Sequence, residues 1–430
     1  MTGWLGALPP GTVPALVALV LVAELGLLIG LLLPGSSLVI GLGVLAGVGL
    51  VTVPARESPR WPRRSNAAML QAEGHRPAVW SPGLTSTTPL PTASGAPARP
   101  AGRRTSMWAQ TLSGPFRFEK VEIAAPDPAS LAPGHVLLAT RAGAICGSDL
   151  PNFRGGVWPH PAAEDGWGAT RAPGFPMHEI VGEVVASQHS DHSPGDLVVG
   201  WASMFDGIAE LVVTDGDGLA RYDTRLPATT AVMLQPLACV LYAVEQLGDV
   251  SGQTVAVIGQ GPIGLLFSHV LKARGAARVT GVDPVDRTDV ASAFAVDEVV
   301  TARAERWAGS LSDADRPTVV VEAVGHQIST LQPALDAVAP GGQVFYFGVP
   351  DDPVYPFDMM TFLRKNLTLR SGVTLERRRV LSDAGTYLAA HPGLQDCYVS
   401  HVHPVADVQA AFSAAIAPRP GQLKIAVDMT

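Results

Sequence analysis

The chain has 430 residues, 47% of them hydrophobic, which is ample for a large core divided over two or three domains. Its net charge of −8 is uneven: residues 1–106 carry eight arginines, no lysine and three acids, so the globular remainder is strongly acidic and, having no basic run, speaks against nucleic acid as a partner. Three cysteines with no Cys-x-x-Cys pair exclude a disulfide framework and a four-cysteine zinc module, and they fit a reducing compartment.

Residues 12–54 are almost uninterruptedly apolar, with Glu24 as their only charge. The first part, TVPALVALVLVAELGLLIGLLL, is long enough to cross a bilayer, which takes roughly 20 residues. A Pro34-Gly35 break separates it from a second apolar piece. A signal peptide needs a basic leading segment, and no Lys or Arg precedes Arg56. Arg56, Arg60, Arg63 and Arg64 follow the apolar run, so the positive-inside rule places the downstream chain in the cytoplasm. Residues 1–54 are thus expected to attach to a membrane. They resemble the start of the DedA family of membrane proteins in Glu24, the Pro34-Gly35 break and the stretch GLGVLAG. However, Ser36 stands where that family usually carries an acid, and its later parts are missing. The resemblance therefore implies an anchor or a fusion remnant more than a transporter. Residues 55–106, rich in Pro, Ser, Thr, Ala and Arg, read as a disordered linker.

From Met107 the composition is globular. Cys146 lies in ICGSDL, and His178 and Glu179 lie in GFPMHEIVGEVV. A soft thiolate and an imidazole are what zinc prefers, although each residue taken alone is more often structural. Glu179 adds a carboxylate if the backbone bends, because neighbours in a regular strand face opposite sides. The stretch VWPHPAAEDGWGATRAPG, residues 157–174, either shapes a substrate entrance or is a surface loop. His189 and His192 sit in a polar, turn-rich loop that reads as solvated surface. His401 and His403 bracket a strand-like HVHPV and stay unassigned.

The strongest local pattern follows. Residues 254–258 form a short β-rich run, Gly259-Gln260-Gly261-Pro262-Ile263-Gly264 gives G-x-G-x-x-G, and residues 265–274 read as a helix. A second strand ends at Asp283, an acid 19 residues beyond the last glycine. Gly259 permits the tight turn, Gly261 lets backbone approach a pyrophosphate, and Gly264 lets helix and strand pack closely. Asp283 is placed to accept ribose hydroxyls and to repel a 2′-phosphate, which favours NAD, while Arg287 keeps NADP open. TVVVEAVG and ALDAVAPGGQVFYFGVP continue the alternation of strand and helix, which implies a doubly wound parallel sheet.

Taken in order, CGSDL, HEIVGEVV, PGDLVVG, GIAELVV, QPLACVLYAVE, GQGPIG and APGGQVFYFG resemble the medium-chain, zinc-dependent alcohol dehydrogenase superfamily over nearly all of residues 107–430. The resemblance implies a GroES-like catalytic domain over 107–230, a Rossmann domain over 231–365, and a return to the catalytic domain over 366–430. It also implies hydride transfer between a small alcohol or polyol and NAD(P), with the catalytic zinc on Cys146 and His178. Glu179 would be the adjacent acid close to the metal, Ser148 the hydroxyl that takes the substrate proton, and Gly259, Gly261, Ile263, Gly264 and Asp283 the nucleotide contacts. Three departures bear on this. Gln235 replaces a Glu or Cys that serves the metal, with Cys239 four residues on as a possible substitute. Pro151 replaces a proton-relaying histidine, and the cysteine-rich lobe for a structural zinc is absent, so one zinc is expected. Relatives are commonly dimers or tetramers, so a homo-oligomer is expected. The competing readings are a zinc-free NAD(P)H reductase of the same superfamily and a tethered interaction protein with an inactive dehydrogenase domain.

Overall fold

Val255, Ala256, Val257 and Ile258 are all buried, so the strand they form is covered on both faces, as the centre of a parallel sheet requires. The computed structural model describes residues 105–156 and 172–430. The expected membrane segment, nearly all of the expected linker and most of the 157–174 stretch lie outside these residues.

Among the described residues, fifteen strands follow in chain order. β1 (Ser106–Gly114) and β2 (Arg117–Ala124) form an antiparallel hairpin. β3 (His135–Ala144), β4 (Glu179–Ser187), β5 (Leu197–Trp201), β6 (Leu211–Asp215) and β7 (Leu219–Arg221) belong to the catalytic lobe. β8 (Thr254–Ile258), β9 (Arg278–Asp283), β10 (Glu298–Thr301), β11 (Val319–Glu322), β12 (Gln343–Tyr346) and β13 (Thr368–Ser371) form a parallel sheet in the order β10-β9-β8-β11-β12-β13. β14 (Val399–Pro404) and β15 (Lys424–Asp428) return to complete a seven-stranded sheet, β14-β15-β3-β4-β5-β7, with β6 paired to β3. This is the GroES-like and Rossmann-type combination. β13 lies beyond the boundary expected at residue 365, because this polar edge strand carries no buried run to announce it.

The helix Pro262–Ala273 starts with Pro in its first turn and closes with Lys272 in its last, both favourable placements. The helix Leu234–Leu247 ends at Gly248, whose φ of 92° reverses the chain. Its apolar face joins Ala142, Ala144, Val181 and Trp201 of the catalytic lobe with Val257, Leu266 and Phe345 of the nucleotide lobe in one core. Among the described residues, only the stretch Ala228–Leu247 has the length and apolarity to cross a membrane, and its most apolar window is 72% buried in that core.

Candidate active site

β15, β3 and β4 lie side by side, and their register sets Ala144 opposite both Ala426 and Glu179. The end of β3 and the beginnings of β4 and β15 therefore meet at one margin of the sheet. Cys146 stands just past β3 at the start of a tight turn, Gly147–Asp149. His178 precedes β4, Glu179 opens it, and Lys424 opens β15. One ligand atom from each of Cys146, His178 and Glu179 lies within 4.8 Å of the others. Strand alternation does not separate His178 from Glu179, because His178 lies ahead of the ladder, where Met177 makes only an isolated bridge to Asp206.

Asp149, which the sequence reading passed over, organises this group. Its Oδ2 accepts the Cys146 backbone N–H at 2.8 Å, and its Oδ1 pairs with His178 Nδ1 at 3.1 Å. Burial favours a neutral His178, but the Asp149 carboxylate and the Cys146 sulfur outweigh it and hold the imidazole pKa well above its ordinary value. With Nδ1 engaged by Asp149, Nε2 is the nitrogen that would face a metal. The signal was present in the sequence, an acid three residues after Cys146 in the same turn.

Glu179 is fully buried, and Lys424 Nζ donates to its two carboxylate oxygens at 2.7 and 2.8 Å. Lys424 also donates to the Ile145 carbonyl at 3.1 Å, so one ammonium ties the acid to the turn that carries Cys146. Gln235 is buried, and its Nε2 donates to Cys239 Sγ at 3.7 Å. Burial pushes the Cys239 thiol up to about 12, and the negative charges of Cys146 and Glu179 add to the effect. Cys239 is a neighbour of the group that lies outside the three converging donors. Ser148 is half-buried in the same turn as Cys146, and Pro151 lies in the short helix Leu150–Phe153 that follows. A thiolate, an imidazole and a carboxylate this close suit zinc, with a position left for water or substrate. The residues present fit the metal.

The nucleotide turn is built as its spacing predicts. Gly259 has φ 88°, a conformation that glycine adopts without cost. A Cβ on Gly264 would overlap the Gly259 carbonyl, whereas a Cβ on Gly261 would meet no heavy atom within 4 Å. That open space lies at the N-terminus of the helix Pro262–Ala273, where backbone N–H groups point outward. Ile263 is half-buried in the first turn of the helix. Gln260, unremarked in the sequence, is fully buried and pins the turn, donating to the Val257 carbonyl at 3.2 Å and accepting from Ser268 Oγ at 3.1 Å. Asp283 closes β9, with Oδ2 accepting the Gln260 N–H at 2.7 Å and Oδ1 the Val285 N–H at 2.8 Å. Each oxygen keeps a lone pair for a ribose hydroxyl. Arg287 corrects an expectation. It is 2% exposed and donates to the carbonyls of Arg419 and Gln422 at 3.2 and 3.0 Å, so it braces the C-terminal segment instead of facing a 2′-phosphate.

The polar loop is also different from its reading. His192 is buried with Nε2 on the Gly216 carbonyl at 2.9 Å, and His189 Nε2 reaches Asp217 at 3.3 Å, so both imidazoles fasten the loop to a neighbouring turn. His401 and His403 lie on β14, His401 with Ser400 Oγ at 2.8 Å from its Nδ1.

Two domains joined by one core, a zinc-type donor group and a dinucleotide turn define a two-domain dehydrogenase. Residues 132–232 match the alcohol dehydrogenase GroES-like domain and residues 262–384 match the zinc-binding dehydrogenase domain, together half of the chain. The chain belongs to this zinc-binding alcohol dehydrogenase family and is an NAD(P)-dependent oxidoreductase. It is 27% identical over 295 residues to an L-threonine 3-dehydrogenase of Caldanaerobacter subterraneus, covering 61% of this chain and 80% of that one. It is 28% identical over 327 residues to a D-altritol 5-dehydrogenase of Agrobacterium fabrum, covering 66% of this chain and 90% of that one. The structure of 2R,3R-butanediol dehydrogenase from Bacillus subtilis superposes with a TM-score of 0.61 at 22% identity, covering 76% of this chain and all of the other, which is a likeness of fold.

Proposed function

We propose that the chain oxidises a small secondary alcohol flanked by a second polar group, a polyol or an amino alcohol, with NAD as acceptor. The observation that carries this is the convergence of Cys146, His178 and Glu179 within 4.8 Å, backed by Asp149. The names of the relatives support the substrate class, since threonine, altritol and butanediol each carry such a group. Cys146, His178 and Glu179 would hold zinc, and the turn at Gly259, Gly261 and Gly264 with Asp283 would hold the dinucleotide. When bound, these groups supply Lewis-acid polarisation of the alcohol oxygen and a hydride acceptor. Asp149 keeps His178 in one tautomer and orientation. Ser148, two residues beyond Cys146 in the same turn, takes the alcohol proton. Gly261 leaves the backbone open to the pyrophosphate, and Asp283 favours NAD over NADP.

The test is zinc per chain by plasma mass spectrometry in parent and Cys146→Ser, beside NAD reduction over a panel of polyols and amino alcohols. About one zinc, lost together with turnover in the variant, is the expected result. Undiminished turnover without zinc would move the chain to the zinc-free reductases. Two finer readings accompany this one. The apolar run over residues 12–54 and the four arginines after it support membrane attachment, which fails if all the protein stays in the soluble fraction after lysis. Val354, Met359, Met360, Leu363, Val373 and Leu375, each at least 55% exposed, lie within 15 residues of β13, an open sheet edge. Exposed apolar side chains around an open edge support pairing with a second copy, and a monomeric mass by light scattering would overturn it.

A further inference from the structure

Glu322, the last residue of β11, is fully buried, yet among the described residues none of its partners is a cation. Its Oε1 accepts the backbone N–H groups of Val324 and Gly325 at 3.0 and 3.1 Å and Thr330 Oγ1 at 2.8 Å. Its Oε2 accepts the Gly348 N–H at 3.3 Å, and its backbone carbonyl accepts the Phe347 N–H at 2.9 Å. These donors come from two loops, one leaving β11 and one leaving β12. The loops also touch directly, since the His326 N–H donates to the Val349 carbonyl at 2.7 Å and a Cβ on Gly348 would overlap the Gly325 nitrogen. Gly325 and His326 both adopt positive φ, 63° and 53°, a strained sequence for the histidine that the surrounding bonds hold in place.

The position of these loops gives the arrangement its meaning. The chain runs from β8 to β9 on one side and later to β11 on the other, so the sheet order reverses between β8 and β11. Ligands of open parallel sheets bind outside the carboxyl ends of strands at such a reversal. The loop after β11 is the wall facing the glycine turn there, because a Cβ on Gly259 would stand 2.6 Å from Val324 Cγ2. Val324 and Val349 are each 38% exposed, large apolar side chains left uncovered where a nucleotide would lie.

We propose that Glu322 is a positioning residue for the dinucleotide, holding the loops after β11 and β12 as one wall that presents Val324 and Val349 to it. This rests on the reading of the chain as an NAD(P)-dependent dehydrogenase. In Glu322→Gln the amide NH2 replaces an acceptor and opposes the donors around it, so the wall loosens while the metal donors, on the other lobe, are untouched.

The experiment titrates NADH into parent, Glu322→Gln and Thr330→Val by fluorescence, with zinc content and the separate KM values for NAD and alcohol measured on the same samples. Expected are a rise of about tenfold in the NADH dissociation constant and the NAD KM for Glu322→Gln. The alcohol KM at saturating NAD and the zinc content stay unchanged. Thr330→Val, which removes one of the donors, gives a smaller rise in the same direction and keeps the question open to test if Glu322→Gln does not fold. A lowered melting temperature with unchanged nucleotide constants in both variants makes Glu322 a residue of stability alone and overturns the proposal. A parent that binds neither NADH nor NADPH overturns the dehydrogenase reading with it, which a binding parent beside an unaffected variant does not.

Discussion

Lys424 offers the sharpest test of how the metal group is assembled. Its side chain is 2% exposed and that of Glu179 1%, so the two charges neutralise each other almost out of reach of water. Lys424→Met keeps most of the volume and removes the ammonium, leaving the Glu179 carboxylate buried without its partner. Breaking such a pair from one side costs about 3–5 kcal/mol, because the surviving charge keeps its desolvation penalty and loses its attraction. In zinc-depleted protein of this size this corresponds to a fall in melting temperature of roughly 4–8 °C. With zinc restored, the carboxylate regains a cation within the same donor group, and the fall should shrink to less than half. The double variant Glu179→Gln with Lys424→Met removes both charges and should recover most of the loss, a coupling that a double-mutant cycle reads directly. Melting curves of the four proteins, with chelator and with zinc, supply the comparison. A zinc-depleted Lys424→Met that melts within about 2 °C of the parent would refute the reasoning, since no buried charge would then depend on Lys424.

Asp149→Asn leaves His178 without its charged partner and should weaken zinc binding by about 10–100-fold in competition with a chromophoric chelator; unchanged affinity would remove Asp149 from the metal group. Gly264→Ala and Gly261→Ala should separate cleanly. The first meets the Gly259 carbonyl and lowers the melting temperature, whereas the second has room, folds like the parent and raises the NAD KM. Equal melting losses would contradict the open space at Gly261. Asp206 has a buried Oδ1 with no hydrogen-bond partner among the described residues, and burial raises its pKa to about 6. The folded state therefore resists losing this proton, and its stability falls as pH rises from about 4 through about 6, by at most roughly 3 kcal/mol. Asp206→Asn should melt higher than the parent at pH 8 and level with it at pH 4; a difference independent of pH would show that the carboxylate is not the cause.

The nucleotide half was legible because its information is contiguous. Gly259, Gly261 and Gly264 fall within six residues between a strand whose last four residues are apolar and an amphipathic helix, with Gly259 at positive φ and Gly264 against the Gly259 carbonyl. The metal half was legible only in part. Cys146 and the His178-Glu179 pair come from successive strands of one sheet, and ordinary β-pairing brings them together. Lys424 lies 245 residues beyond Glu179, and no local pattern distinguishes a lysine bound for the interior from the many that stay in water. Glu322 escaped notice for a related reason, since its partners are mostly backbone N–H groups, which carry no residue identity. His189 and His192 were read as solvated from the polarity around them, but their partners at Gly216 and Asp217 lie 24 to 28 residues away. β13 was missed because an edge strand of Thr368, Leu369, Arg370 and Ser371 lacks the apolar run that marks β8 and β11.

The seven-stranded sheet is made of segments separated by the whole nucleotide lobe, β3 to β7 before it and β14 and β15 after it. A ribosome releases the chain from its N-terminus, and domains fold as they emerge. The dinucleotide turn and its six strands are therefore complete while β3 still waits for β15, its neighbour in the finished sheet. Until Lys424 arrives, 245 residues after Glu179, the Glu179 carboxylate has no ammonium beside it. A nascent chain thus acquires its capacity to hold a nucleotide before it acquires a settled place for a metal, and a product that stops before Lys424 would retain the first without the second.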